Sequence, residues 1–343
     1  RQFARMYLWL ANLYDPDTGG VYMAKSGADD PTQEPALEMT FFALNAVKGY
    51  SDCWEELPES VKQRFIQFIV DRQDPDTGLF IDKQGPVNDR ETARNQSAVM
   101  NWVNLWNIQL PYPHPSQKTT VRTALTLAES ETDSNILPDY LESPETYRTW
   151  IASWDWDNNS WTAGDQLGSS LVYLQYIESG DYDAYRQVVL DWLAERQFED
   201  TGLWAPDINF NSISGAFKVG LVYANLGKQI PNPQKVMESA LSCIRTETPT
   251  VAHYVRNPIS VLQQIADYGP EYADIIRKAI LENMETIISW VDIFLCPDGG
   301  FSQYEKKSMG SFGGVAGSHQ LWEGDVDSTV MILTARREIY RLA

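Results

Sequence analysis

The sequence is poor in cysteine, histidine and positive charge, and each shortage narrows what the chain can be. Its three cysteines, Cys53, Cys243 and Cys296, are far apart and odd in number. They make neither a disulfide framework nor a CxxC metal site, so buried free thiols are expected, with no metal and no cofactor. The 27 Lys and Arg are outnumbered by 47 Asp and Glu, a net charge of -20, which argues against nucleic acid or an anionic membrane surface as partner. No apolar run approaches the roughly 20 residues of a membrane-spanning helix, so a soluble protein is expected, cytoplasmic rather than secreted. The chain begins at Arg1 without Met, a start compatible with trimming and with removal of a signal peptide. Strand-like alternation is almost absent.

Apolar and aromatic residues are plentiful. Hydrophobic residues make up 43% of the chain, with 12 Trp, 17 Tyr and 12 Phe, enough for a large core. Most aromatics in any chain are core, but Trp and Tyr also supply flat, amphipathic platforms that suit sugar rings.

Along the chain a unit recurs. Residues 1–14 place Phe3, Met6, Tyr7, Leu10 and Leu13 on one helical stripe. Asp15-Pro16-Asp17-Thr18-Gly19-Gly20 stops it, and a largely apolar helix is expected from Glu34-Pro35 to residue 49. Residues 57–72, the turn Asp74-Pro75-Asp76-Thr77-Gly78-Leu79-Phe80 and a helix over 89–107 repeat the pattern. Helices are expected at 119–128, 143–153 and 163–177, with Asp157-Asn158-Asn159-Ser160-Trp161 as a worn turn. Residues 182–196, the turn Glu199-Asp200-Thr201-Gly202-Leu203-Trp204 and residues 212–226 follow. Residues 233–244 and 251–268 lack the turn signature, and 272–294 with 326–341 flank Cys296-Pro297-Asp298-Gly299-Gly300-Phe301. Six hairpins of about 57 residues each would bury their faces on their neighbours.

The Asp-Pro-Asp-Thr-Gly-Gly-aromatic turns between outer and inner helices resemble those of the α/α-toroid proteins. That group includes terpenoid cyclases, protein prenyltransferase β subunits and complement-type thioester domains, and six-hairpin glycosidases and polysaccharide lyases are built similarly. The resemblance implies an all-α, single-domain (α/α)6 toroid over residues 1–343, and says little of activity.

In such a toroid the inner-helix starts converge on the mouth of a central cavity. Those starts carry Glu34 and Glu38; Asp89, Arg90, Glu91 and Arg94; Trp161, Asp165 and Gln166; Asn211 and Lys218; His253, Arg256 and Asn257; and His319, Glu323, Asp325 and Asp327. Acids are expected at helix N-termini on dipole grounds alone, and internal ion pairing among Arg94, Glu38 and Asp165 is the plain alternative. Cations such as Arg94, Lys218 and Arg256 instead suit a polar pocket for a sugar, a uronic acid included.

The expected function is a carbohydrate-active enzyme acting on an oligosaccharide, a glycoside hydrolase ahead of a lyase. Hydrolysis needs two carboxyls across the scissile bond, here Glu38 or Asp165 facing Glu323, Asp325 or Asp327. A lyase would abstract a proton beside a uronate with His319 or His253. His319 is assigned to chemistry, and Arg94, Trp161, Gln166, Lys218, His253, Arg256 and Asn257 to binding. Asp325-Val326-Asp327-Ser328-Thr329 is similar to the Asp-x-Asp-Asp-Thr motif of class II terpenoid cyclases, which implies Asp327 as protonating acid and Asp325 as helper; Ser328 departs from that motif. Asp325 or Asp327 as a helix N-cap is the plain alternative, and a non-catalytic binding module is the remaining class.

Overall fold

In a computed structural model the chain is mostly helical. The sheet among the described residues is one hairpin, β1 (Ser311–Phe312) with β2 (Val315–Ala316). Residues 2–50, 57–82, 84, 89–114, 138–174, 177 and 179–342 are described, without the side chains of 2–5, 7, 47–50, 89–95, 97, 98, 172, 179 and 180. The expected helix at 119–128 and Cys53 lie outside them. The helices are α1 (Gln2–Ala11), α2 (Lys25–Ala28), α3 (Leu37–Tyr50), α4 (Glu59–Val70), α5 (Asp89–Trp106), α6 (Pro144–Ala152) and α7 (Trp156–Leu174). They continue with α8 (Ser179–Arg196), α9 (Phe210–Asn225), α10 (Pro233–Thr246), α11 (His253–Ala266), α12 (Pro270–Glu282), α13 (Met284–Phe294) and α14 (Val326–Leu342).

The chain divides into two compact units. One comprises Arg1–Tyr112, Pro249–Arg256 and Ile287–Tyr340; the other comprises Pro113–Thr248, Asn257–Thr286 and Arg341–Ala343.

In the first unit three hairpins share one turn device. The turn glycines Gly19, Gly78 and Gly299 have φ of 83°, 74° and 97°, a region that only glycine adopts without strain. The entering residue donates back across the turn: Asp15 N to Gly20 O, Asp74 N to Leu79 O and Cys296 N to Gly300 O, at 2.8–2.9 Å. Asp15 and Asp74 also accept from the amides of Asp17, Thr18, Asp76 and Thr77, which is why these turns begin with Asp. The residue leaving each turn is then locked by a side chain of the following helix. Val21 N donates to Thr40 Oγ1 at 2.9 Å, Phe80 N to Gln96 Oε1 at 2.8 Å and Phe301 N to Thr329 Oγ1 at 2.9 Å. Around these locks Trp9, Leu13, Phe41, Phe68, Phe80, Trp102, Val326 and Leu333 form one buried core.

In the second unit the same turn recurs at Gly202, φ 69°, with Phe198 N donating to Leu203 O at 2.8 Å. Gln197 Nε2 bonds Gly202 O and Pro231 O, as Gln73 Nε2 bonds Gly78 O and Tyr112 O in the first unit. Helices α7 and α9 lie close: a Cβ at Gly215 would stand 2.7 Å from the Ser160 Cβ, so only glycine allows that approach.

Three local expectations differ from the structure. Residues 157–161 are not an open turn but part of α7, broken at Asn159 (φ -142°, ψ 55°). Asp155 caps the short first turn through Asn158 N, and Asn159 caps the continuing helix through Thr162 N, so two polar side chains keep a near-continuous helix. Residues 272–294 form two helices, because Asn283 (φ -104°, ψ 12°) ends α12 and bonds Ala279 O at 2.8 Å. Helix α3 starts at Leu37 rather than Glu34, because Asp82 Oδ2 accepts from Leu37 N at 2.7 Å and supplies its N-terminus from a distant loop.

Candidate functional site

The start of α14 is built by a loop that folds back on it. Asp325 is wholly buried and accepts three backbone amides: Ser328 at 2.8 Å, Gln303 at 2.9 Å and Met309 at 3.0 Å. It is therefore the N-cap of α14 and the tether of the 303–309 loop. Burial pushes its carboxyl up to about 6, against the lowering effect of the amide and hydroxyl donors. Glu323 is buried too, and it accepts from Ser26 N at 2.9 Å, from Ser26 Oγ and from Ser308 Oγ at 3.4 Å. Its work is to seat α2. Asp298 holds Trp9 Nε1 and Gly324 N, each at 3.0 Å, and a Cβ at Gly324 would come within 2.5 Å of Gly300 Cα.

Asp327 differs from both neighbours. It is 1% exposed, stands second in α14, and its Oδ2 lies 2.9 Å from Nε2 of His253, the first residue of α11. The two helix starts are joined by Gln303. Its carbonyl accepts from Ala252 N at 3.0 Å, its amide bonds Asp325, and its Oε1 accepts from Ser328 Oγ at 3.1 Å. His253 and Asp327 are thus each flanked by a residue fixed to Gln303. A buried imidazole facing a carboxylate can hold one proton between them and release it to a reacting group.

The thread of locks extends the site within this unit. Thr40 and Thr329 do the same work in α3 and α14, each two residues after an acid, so Glu38 and Asp327 occupy equivalent positions. Gln96 has that task in α5, which makes Arg94 the counterpart there; its side chain lies outside the described residues. Glu38 and Arg256 are half-buried. His319 is half-exposed, with its Nε2 3.1 Å from Asp30 Oδ2.

The remaining candidates belong to the second unit. Asp165 on α7 and Lys218 on α9 form an ion pair, both partly buried. Asn257 is buried and donates to Ser214 Oγ at 2.8 Å, and Trp161 and Gln166 are half-buried on α7. No group of three or more His, Cys, Asp and Glu side chains suited to a metal occurs among the described residues, and no helix among them is long and apolar enough to cross a membrane.

Sequence reasoning did not find Ser26, Asp82, Asp298, Gln303 or Ser308. All but Asp82 and Asp298 are uncharged, and their partners lie far along the chain. The only signal was the Asp-Gly-Gly spelling of the turn at Asp298. No protein-family model matches the chain, and no curated protein does.

Proposed function

We propose that this chain is a carbohydrate-active enzyme, built as an (α/α)6 toroid, in which Asp327 and His253 carry the proton transfer. The observation that carries the reading is the buried 2.9 Å approach of His253 Nε2 to Asp327 Oδ2 at two adjoining helix starts. The toroid reading is supported by a glycine turn that recurs at Gly19, Gly78, Gly202 and Gly299 and by a side-chain lock shared by three of those hairpins. Glu323 and Asp325 accept from backbone amides and hydroxyls, whereas Asp327 faces an imidazole, which makes it the acid proposed for the last hairpin. Glu38, at the equivalent position of the first hairpin, is the opposing carboxylate. Hydrolysis then runs with Asp327 protonating the glycosidic oxygen and the second carboxylate acting as base or nucleophile. Arg94 and Arg256 bind the sugar.

The test is turnover of an oligosaccharide panel, neutral and uronate-bearing, by the wild type and by Asp327→Asn, His253→Gln and Glu38→Gln. Each variant should lose about 10²–10⁴-fold in kcat; undiminished turnover in Asp327→Asn rejects the assignment. A second reading is favoured by the near-complete burial of Asp327 within its Asp-Val-Asp-Ser-Thr segment: a class II terpenoid-cyclase-like protein with Asp327 as protonating acid. Cyclisation of a polyprenyl substrate that disappears in Asp327→Asn would replace the first reading with this one.

A further inference from the structure

Trp322 is 52% exposed, and no other Trp among the described residues is as open. Burial of an indole is worth a few kcal/mol, so a Trp held out of the core asks for another occupant. Leu321 beside it is 55% exposed and Tyr304 is 43% exposed. These residues belong to one platform. Ser308 N donates to Leu321 O at 2.9 Å, and Glu323 N also donates to Leu321 O at 2.9 Å. Tyr304 and Lys307 exchange backbone bonds of 3.0 and 3.1 Å across a tight turn. In that turn Lys306 has φ of 57°. The lysines lie over the rings: Lys306 Nζ is 5.6 Å from the Trp322 ring centre and Lys307 Nζ is 5.9 Å from that of Tyr304. Glu305, 3.7 Å from Lys306, offsets one of the two charges, so the exposed side chains of the platform keep one net positive charge in a chain of net charge -20, while Glu323 beside them is buried.

We propose that this platform is a binding subsite for an anionic glycan, a chain of uronate sugars laid across Trp322 and Tyr304 with its carboxylates on Lys306 and Lys307. The inference rests on the carbohydrate reading and deepens it by naming the substrate class. Sugar rings present C–H faces that stack on aromatic rings, and a carboxylate pairs with an ammonium. The charge of the whole molecule selects among anionic partners. A membrane surface would meet the acidic protein over a wide area, whereas a single glycan chain feels only charges within a Debye length of about 8 Å. The platform is also joined to the candidate chemistry. Tyr304 follows Gln303, which bonds the residue before His253, and Trp322 precedes Glu323 in the segment that leads to Asp327.

The experiment is calorimetric titration of the full chain with a polygalacturonate hexamer, a neutral glucose hexamer and vesicles containing phosphatidylserine. The wild type, Trp322→Ala, the double variant Lys306→Gln/Lys307→Gln and Asp327→Asn are compared. The proposal expects the uronate hexamer to bind best, roughly tenfold more weakly in Trp322→Ala, as for one lost stacking contact. The lysine variant should bind it more weakly and with less dependence on salt. Equal binding in the wild type and both platform variants overturns the proposal, as does preference for the neutral hexamer, for the vesicles or for none of the three. The two readings fail separately. Platform variants that bind normally, with turnover lost in Asp327→Asn, remove the subsite and keep the catalytic pair. Binding lost in the platform variants, with Asp327→Asn still turning over, does the reverse.

Discussion

Asp325 and Asp327 are separated by one residue, yet their environments give them opposite tasks. Three amide donors surround Asp325, so its carboxylate completes the backbone of the loop and the helix start. Asp327 faces the His253 side chain, a partner that can exchange a proton. The difference is testable in stability. Asp325→Ala removes both acceptor oxygens, so the three amides of Ser328, Gln303 and Met309 all lose their partner. Unfolding by denaturant at pH 7 should show a loss of about 2 kcal/mol or more. The motif itself was legible in the sequence, including the chance that one of the acids is an N-cap. Which acid caps was not, because Gln303 and Met309 reach it from a loop some twenty residues earlier. Likewise the fold sets His253 against Asp327 and leaves His319 half-exposed beside Asp30; nothing in the local sequence distinguishes the two histidines.

At the scale of elements, the hairpin is an outer helix, a glycine turn and an inner helix locked to the turn's exit. Thr40 and Thr329 perform the same lock in separate hairpins. Thr40→Val and Thr329→Val keep the shape and remove the acceptor, so each strands a buried backbone amide, that of Val21 or Phe301. Each should destabilise the protein by about 1–3 kcal/mol, measured by thermal or denaturant unfolding, and similar values in the two would support the repeat. The helices and turns were legible because an apolar stripe at helical spacing and a Gly at φ above zero are local demands. The breaks at Asn159 and Asn283 were not, since each is decided by which backbone group a short amide side chain reaches.

At the scale of the whole molecule, two buried groups in different units oppose each other in acid. His114 is wholly buried, and burial pushes its imidazole down to about 4 from the ordinary 6.5. Between those values the unfolded chain takes up a proton that the folded chain refuses, so this stability is lost as pH falls from 6.5 towards 4. Asp325 runs the other way. Its folded value of about 6 exceeds the ordinary 3.8, so the folded chain holds the extra proton and stability is gained as pH falls from 6 towards 3.8. Each contribution is on the order of 3 kcal/mol, and together they largely cancel. Thermal unfolding of the wild type between pH 6.5 and 4 should therefore change little on their account. Asp325→Asn should uncover the His114 term as a clear fall with acid, and an unchanged profile would contradict the assignment.

The sequence alone determined that this is a helical protein with glycine turns between helices. Those features follow from residue spacing, turn chemistry and charge, which act over a few residues. Only the tertiary structure decided which acids serve the backbone and which one meets a histidine. It also decided that Lys218 pairs with Asp165, and that Trp322 and its lysines stand out from the core. These outcomes depend on contacts between residues far apart in the chain, and the desolvation that sets the behaviour of a carboxylate exists only once those contacts have closed around it.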